Sequence, residues 1–269
     1  MKFTSGGIFL WAKTIGSIWG DVGEAVISDS NGDVYFAGYF RPDADLNPNA
    51  GTDNYSIGTN QNTFLIKLAW DGAFVWAKTF ENGYNSPTAL DMDENEDLYI
   101  LGGYSYTSDF DPGIGIANHT GVYNFNDIFV VKLDSDGIYQ SSFALGGINE
   151  DNGQSIAVMN SDEYYIAGYF YNPIDFNPGA GVNTLTSNGD ADIFVAKFGT
   201  CNVDVSVSTS GVTLTANQFG ATYQWMDCSI FANVAGAMSQ NFSPSADGDY
   251  AVIVTQGGCK DTSTCYTIT

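Results

Sequence analysis

With 269 residues, 44% of them apolar, the chain can hold one large or two modest domains with a sizeable core, which excludes a disordered polymer. Its 31 acids against 8 bases leave a net charge of −23, which repels nucleic-acid phosphates and an anionic bilayer alike. Thirty-one glycines, 16 tyrosines and 18 phenylalanines, many short Asn/Asp/Ser/Gly clusters and no long stretch of helical period predict an all-β protein.

Residues 1–7 lack the apolar run and cleavage site of a signal peptide, and no segment is long enough to span a membrane. The expectation is an incomplete chain. The first strand, residues 8–14, has its twin at 74–79, with Trp11 and Trp76 65 residues apart. A hairpin follows, turning at Asp29-Ser30-Asn31-Gly32, where Asn-Gly between apolar runs tolerates positive φ. Its counterparts turn around Asp93-Glu94-Asn95 and Asn160-Ser161-Asp162 without the glycine, which predicts longer turns there. Gly38, Gly102 and Gly168 end the second strand of each hairpin, where a missing Cβ permits a bulge or a close backbone approach.

Each hairpin leads to an Asp-Pro loop, opened by Asp45, Asp109 or Asp175, and then to a strand centred on Phe64, Phe129 or Phe194. The phenylalanines recur every 65 residues, the mark of stacked β units that cannot bury an apolar face alone. Counting strands gives three four-stranded propeller-type blades within residues 1–199, with repeats at about 7–71, 72–136 and 137–199, the third lacking its fourth strand. Three blades are too few to close a ring, so an open arc or partial propeller is expected, and strand 8–14 is the fourth strand of a preceding unit.

The hairpin at 29–35, the Asp-Phe-Asn-Pro-Gly-Ala-Gly loop at 175–181 and the Asp-Ile-Phe-Val-x-Lys strands at 127–132 and 192–197 resemble bacterial secreted β-propeller repeats of the SBBP type. The resemblance covers about three-quarters of the chain and implies an extracellular scaffold of unassigned ligand.

From residue 201 the character changes to short alternating strands, with Trp225 on a central strand and Asp-Gly-Asp-Tyr opening a later one. That pattern fits an immunoglobulin-like β-sandwich over 201–269, with Tyr250 at a tyrosine corner. Trp225-x-x-Cys228 and the Gly-Cys-x-Asp-Thr-Ser-x-Cys run ending at Cys265 are similar to immunoglobulin-like modules of type IX-secreted proteins in gliding Gram-negative bacteria. The resemblance implies the outer surface or exterior of such a cell; the sorting domain expected after such a module is absent. All four cysteines, Cys201, Cys228, Cys259 and Cys265, lie in this module and are disulfide candidates; their three pairings stay open.

No phosphate loop, zinc spacing or serine-nucleophile elbow occurs, so no catalytic residue and no cofactor is assigned. His119 has no counterpart in the other repeats and reads as an ordinary loop residue. The acid-rich turns make Asp29, Asp33, Asp91, Asp93 and Asp97 weak calcium candidates, against solvated hairpin carboxylates. Lys67, Lys132 and Lys197 share one register opposite the phenylalanines, with Asp45, Asp109 and Asp175 as expected ion-pair partners; the alternative is edge-guarding lysines in solvent. Tyr104, Tyr106, Tyr123, Tyr169 and Tyr171 read either as ligand-stacking loop residues or as packing.

Together these features predict an exported, non-enzymatic scaffold or adhesin-like protein that binds a protein or a glycan. The alternative is a carbohydrate-active enzyme or accessory module with an acidic pocket on the propeller axis, recognisable by two close carboxylates of perturbed pKa.

Overall fold

The computed structural model describes residues 1–269 except 42, 50, 52, 53, 57–60, 123, 180, 181, 200–202, 257 and 258. Among the described residues all regular structure is strand, and no helix exists that is long and apolar enough to cross a membrane. The chain divides into two units, Met1–Gly199 and Thr200–Thr269.

The first unit opens with a ribbon of β1 (Lys2–Phe3) and β2 (Phe9–Trp11). The first repeat contains β3 (Val22–Ser28), β4 (Val34–Phe40), a small ribbon of β5 (Asp43–Asp45) and β6 (Asn54–Ser56), then β7 (Asn62–Leu68) and β8 (Phe74–Thr79). The second contains β9 (Tyr84–Met92), β10 (Leu98–Ser105), the ribbon β11 (Thr107–Asp109) and β12 (Asn118–Thr120), then β13 (Asp127–Leu133) and β14 (Tyr139–Leu145). The third contains β15 (Asn152–Asn160), β16 (Glu163–Phe170), the ribbon β17 (Pro173–Asp175) and β18 (Thr184–Thr186), then β19 (Asp192–Gly199). The main strands pair antiparallel as β3-β4-β7-β8, β9-β10-β13-β14 and β15-β16-β19, so the third sheet has three strands among the described residues.

Period-two alternation explains the stacking, because each sheet is apolar on both faces. Tyr35, Ala37 and Leu65 of the first sheet share a buried cluster with Leu98, Ile100, Phe129 and Val131 of the second. On the second sheet's other face, Tyr99, Leu101 and Val130 share a cluster with Ile156, Ile166 and Phe194 of the third. The three glycines belong to this packing: a Cβ on Gly38, Gly102 or Gly168 would lie 2.0, 2.1 or 1.9 Å from the carbonyl oxygen of Val22, Ser86 or Asn152. The strand pairing slips by one residue beside each of them, at Gly23/Ala25, Leu101/Gly102 and Gly153/Ser155.

The expected longer turns do not form. The second turn repeats the first bond for bond: Asp29 N donates to Asp33 O and Gly32 N to Asp29 O, as Asp93 N does to Asp97 O and Glu96 N to Asp93 O. Glu96 takes the φ of 64° that Gly32 holds at 82°, a strain the Asp93 side chain offsets by accepting the Asn95 and Asp97 amides. The third turn is shorter, with Asn160 paired directly to Glu163.

In the second unit, β20 (Val207–Ser210), β21 (Thr213–Ala216), β22 (Thr222–Asp227), β23 (Ala232–Asn233), β24 (Asn241–Phe242), β25 (Gly248–Gln256), β26 (Cys259–Thr262) and β27 (Tyr266–Ile268) form two sheets. One runs β20-β21-β24; the other runs β23-β22-β25-β26, with β27 also on β25. Trp225 is fully buried between Leu214, Val252 and Val254 and stacks on Phe242 at 5.3 Å. The Tyr250 hydroxyl donates to Ala246 O at 3.1 Å. Cys228 and Cys265 are joined by a disulfide, and Cys259 is unpaired among the described residues. Cys201 lies outside the described residues.

Candidate functional site

The repeated lysines find acids, but in the hairpin turns. Lys132 Nζ lies 3.2 Å from Asp93 Oδ2 and 3.0 Å from Asp97 Oδ2, Lys67 Nζ lies 3.8 Å from both Asp29 and Asp33, and Lys197 pairs with Glu163 at 2.6 Å. The expected partners do other work: Asp45, Asp109 and Asp175 accept backbone amides two residues on, from Asn47, Asp111 and Asn177, and the last two also bind the Ala117 and Asn183 amides across their loops. Cross-strand register decides this, since Lys67 stands opposite Tyr35 and Lys132 opposite Tyr99, each tyrosine six residues past the turn acid. Each ammonium also sits over that ring, at 4.8 and 4.9 Å from the centroids.

These contacts involve four of the five calcium candidates, Asp29, Asp33, Asp93 and Asp97. A lysine ammonium occupies the place between Asp29 and Asp33, and between Asp93 and Asp97, where a cation would stand. Asp91 lies apart from them, its carboxylate accepting the Val158 amide of the third sheet at 2.7 Å. Burial alone would lower the Lys132 pKa, but its hydrogen bonds to Tyr99, Asp97 and Asp93 outweigh burial and push it up.

Two acids missed by sequence reasoning are the most perturbed carboxylates. Asp127, at the start of β13, and Asp151, just before β15, are almost wholly buried, and both pKa values rise to about 6, chiefly through burial, with the Asp151 charge adding to Asp127. Both are sealed by backbone. Asp127 accepts the Val122 amide at 3.0 Å; Asp151 accepts those of Gly147 and Tyr171, each at 2.8 Å. One repeat earlier along the chain, Asn62 on β7 and Asn85 on β9 stand at the corresponding places, Asn85 accepting the Thr63 amide at 2.7 Å. A position where an amide substitutes for a carboxylate serves loop closure, and that pairing was the available signal.

His119 lies on β12 rather than in a loop. Its Nε2 is 2.8 Å from Ser142 Oγ, which is 2.8 Å from the Tyr139 hydroxyl, and burial lowers its pKa. Tyr104 is buried in the core between the first two sheets, whereas Tyr106 is exposed and tilted against Tyr84. Tyr169 and Tyr171 meet edge to face, the Tyr169 hydroxyl donating to Glu150 at 2.9 Å. Tyr123 lies outside the described residues.

An open cleft of about 810 Å³ lies against the first sheet, floored by Val26, Val34, Phe36 and Leu68 and edged by Trp11, Lys2, Lys13 and Glu24. Among the described residues its lining joins apolar side chains to the charged Lys2, Lys13 and Glu24.

No protein-family model matches the chain. Over 219 residues it is 24% identical to an uncharacterized WD repeat-containing protein of Acanthamoeba polyphaga mimivirus. The match covers 70% of this chain but 16% of that protein. The likeness and the three repeated antiparallel sheets agree on propeller-like repeats.

Proposed function

We propose that the chain is a non-enzymatic, exported scaffold that binds a protein partner, with the three sheets as propeller-type blades and the second unit as an immunoglobulin-like module. The observation that carries the reading is a contrast between framework and loops. Turn acid, lysine and tyrosine recur on one lattice, while the loops between repeated strands differ and expose Ile18, Trp19, Ile114, Ile116, Val122, Phe125 and Val182. Apolar loop residues on a rigid framework are the usual form of a recognition surface. The WD repeat-containing relative supports the scaffold reading. Trp225 in the core, the Tyr250 hydroxyl on Ala246 and the Cys228–Cys265 disulfide support the module and an oxidising, cell-exterior location.

Cross-linking the chain to exported proteins of its source, with a glycan array alongside, tests the proposal. Saturable protein binding that an Ile114→Asp/Ile116→Asp variant abolishes is the expected result. Binding confined to glycans, or unaffected by the variant, overturns it. Glycan hydrolysis by the chain would instead establish the carbohydrate-active alternative.

A further inference from the structure

Asp127 and Asp151 converge at the joint between the second and third repeats. Asp127 opens β13 opposite Tyr104 of β10; Asp151 precedes β15, and its own amide donates to Asn126 O at 2.7 Å. The two residues are 3% and 0% exposed. Both carboxyls close on the Gly146-Gly147 segment after β14: a Cβ on Gly146 would lie 2.1 Å from Asp127 Oδ1, and the Gly147 amide donates to Asp151 Oδ2 at 2.8 Å. The titratable groups that face them are Tyr104 for Asp127, Glu150, Tyr169 and Tyr171 for Asp151, and each other. Among the described residues no lysine, arginine or histidine forms an ion pair with either. A buried carboxylate without a countercharge favours its protonated form, and a like charge beside it adds to the cost of ionisation.

The joint between the first and second repeats follows the same plan in neutral groups. Asn62 opens β7 as Asp127 opens β13, and Asn85 N donates to Gln61 O at 3.3 Å as Asp151 N donates to Asn126 O. Asn85 holds the Thr63 amide through its side-chain oxygen, which does not titrate. One joint therefore responds to pH and the other does not. What the carboxyls hold is the loop end of the joint: Asp127 takes the Val122 amide, and Asp151 takes those of Gly147, between β14 and β15, and Tyr171, between β16 and β17.

We propose that the loop end of the joint between the second and third repeats is a proton-gated latch: with Asp127 and Asp151 protonated the loops close over them, and ionisation opens the loops to admit water to the carboxylates. The closed form keeps its protons up to about pH 6, whereas opened, hydrated carboxyls keep theirs only to ~3.9. Opening is therefore favoured as pH rises. Between pH 5 and pH 7 the open population should grow about ninefold if one carboxyl is freed and about eightyfold if both are. Val122 and Phe125 are then held in place in acid and loosened at neutral pH, so a partner docking on them binds more tightly at pH 5, a consequence that rests on the partner-binding reading above.

Hydrogen–deuterium exchange of residues 1–269 at pH 5 and pH 7 tests the latch, each rate being divided by the intrinsic rate at that pH to give the opening constant. Peptides covering Val122, Gly147 and Tyr171 should show the rise, while those covering Thr63 and Asn85 should change less than about twofold, since no carboxyl holds that joint. An Asp127→Asn/Asp151→Asn variant, which copies the amides of the first joint, should show no rise at either joint. In the parent protein, a rise shared equally by Thr63, or none at Val122 and Gly147, overturns the latch, as does a rise that persists in the variant. Exchange needs no partner, so its failure removes the latch and leaves the partner-binding reading standing, while a chain that opens with pH but binds no protein fails only in that reading.

Discussion

Lys132 holds its ammonium 3.2 Å from Asp93 Oδ2, a carboxylate that solvent does not reach. The pair ties the end of β13 to the hairpin turn before β10, and Asp97 at 3.0 Å adds a second contact. Replacing Lys132 with Met leaves the Asp93 charge buried. Loss of one partner of a buried pair costs roughly 3–5 kcal/mol, and the amides that Asp93 also accepts bring the expected loss to about 2–3 kcal/mol. Lys197→Met at the half-exposed Glu163 pair should cost under about 1 kcal/mol. Urea midpoints of the two variants measure the difference; equal shifts would contradict it.

The pH dependence should carry the signature of Asp127 and Asp151. Their folded pKa values of about 6 lie above the ~3.9 of an unfolded aspartate, so the fold binds more protons between those values. Their stabilising contribution is full below about pH 4 and is lost as pH rises through 6, by up to about 3 kcal/mol for each carboxyl. His119, its pKa lowered by burial, works in the opposite sense on acidification. Unfolding at pH 5 should therefore need more urea than at pH 7, and an Asp127→Asn/Asp151→Asn variant should lose that gain. If the variant keeps it, relief of the −23 net charge is the cause instead.

The repeat, the strand order and the missing fourth strand of the third sheet were legible because Phe64, Phe129 and Phe194 keep a fixed register and strand side chains alternate faces. The ion pairs were not, because recurrence alone marks Asp45, Asp109 and Asp175 as strongly as the turn acids. Only cross-strand pairing puts Lys132 beside Tyr99 and the turn before it. Glu96 at positive φ was equally hidden, since the Asp93 carboxylate, and not glycine, holds that turn. Among 31 acids nothing local distinguishes Asp127 and Asp151; their burial exists only once the surrounding loops close over them.

The Cys228–Cys265 bond spans 37 residues and links the end of β22 to the segment before β27. Closing a loop of that length constrains the unfolded chain by about 4 kcal/mol in the chain-entropy account. Reduction should lower the denaturant midpoint of the second unit by a corresponding amount and leave the cysteine-free repeats unchanged. Peptide mapping without reduction should recover a peptide joining Cys228 to Cys265. Recovery of either residue joined to another cysteine would refute the pairing.

Gly102 offers the sharpest test of the inter-strand fit. A Cβ there would meet the Ser86 carbonyl oxygen at 2.1 Å and the Phe129 ring at 2.7 Å, and a backbone oxygen fixed in a ladder cannot retreat as a flexible side chain does. Gly102→Ala must therefore part β9 from β10 beside the slip in their pairing, at a cost of about 3 kcal/mol. Gly189 supplies the control: it is a loop glycine at φ 93° with open space around its Cβ position, so Gly189→Ala strains only the backbone, by about 1 kcal/mol. Thermal unfolding of the two variants should separate them clearly. A Gly102→Ala protein as stable as the parent would mean that the three glycines are not what sets the strand spacing of the repeats.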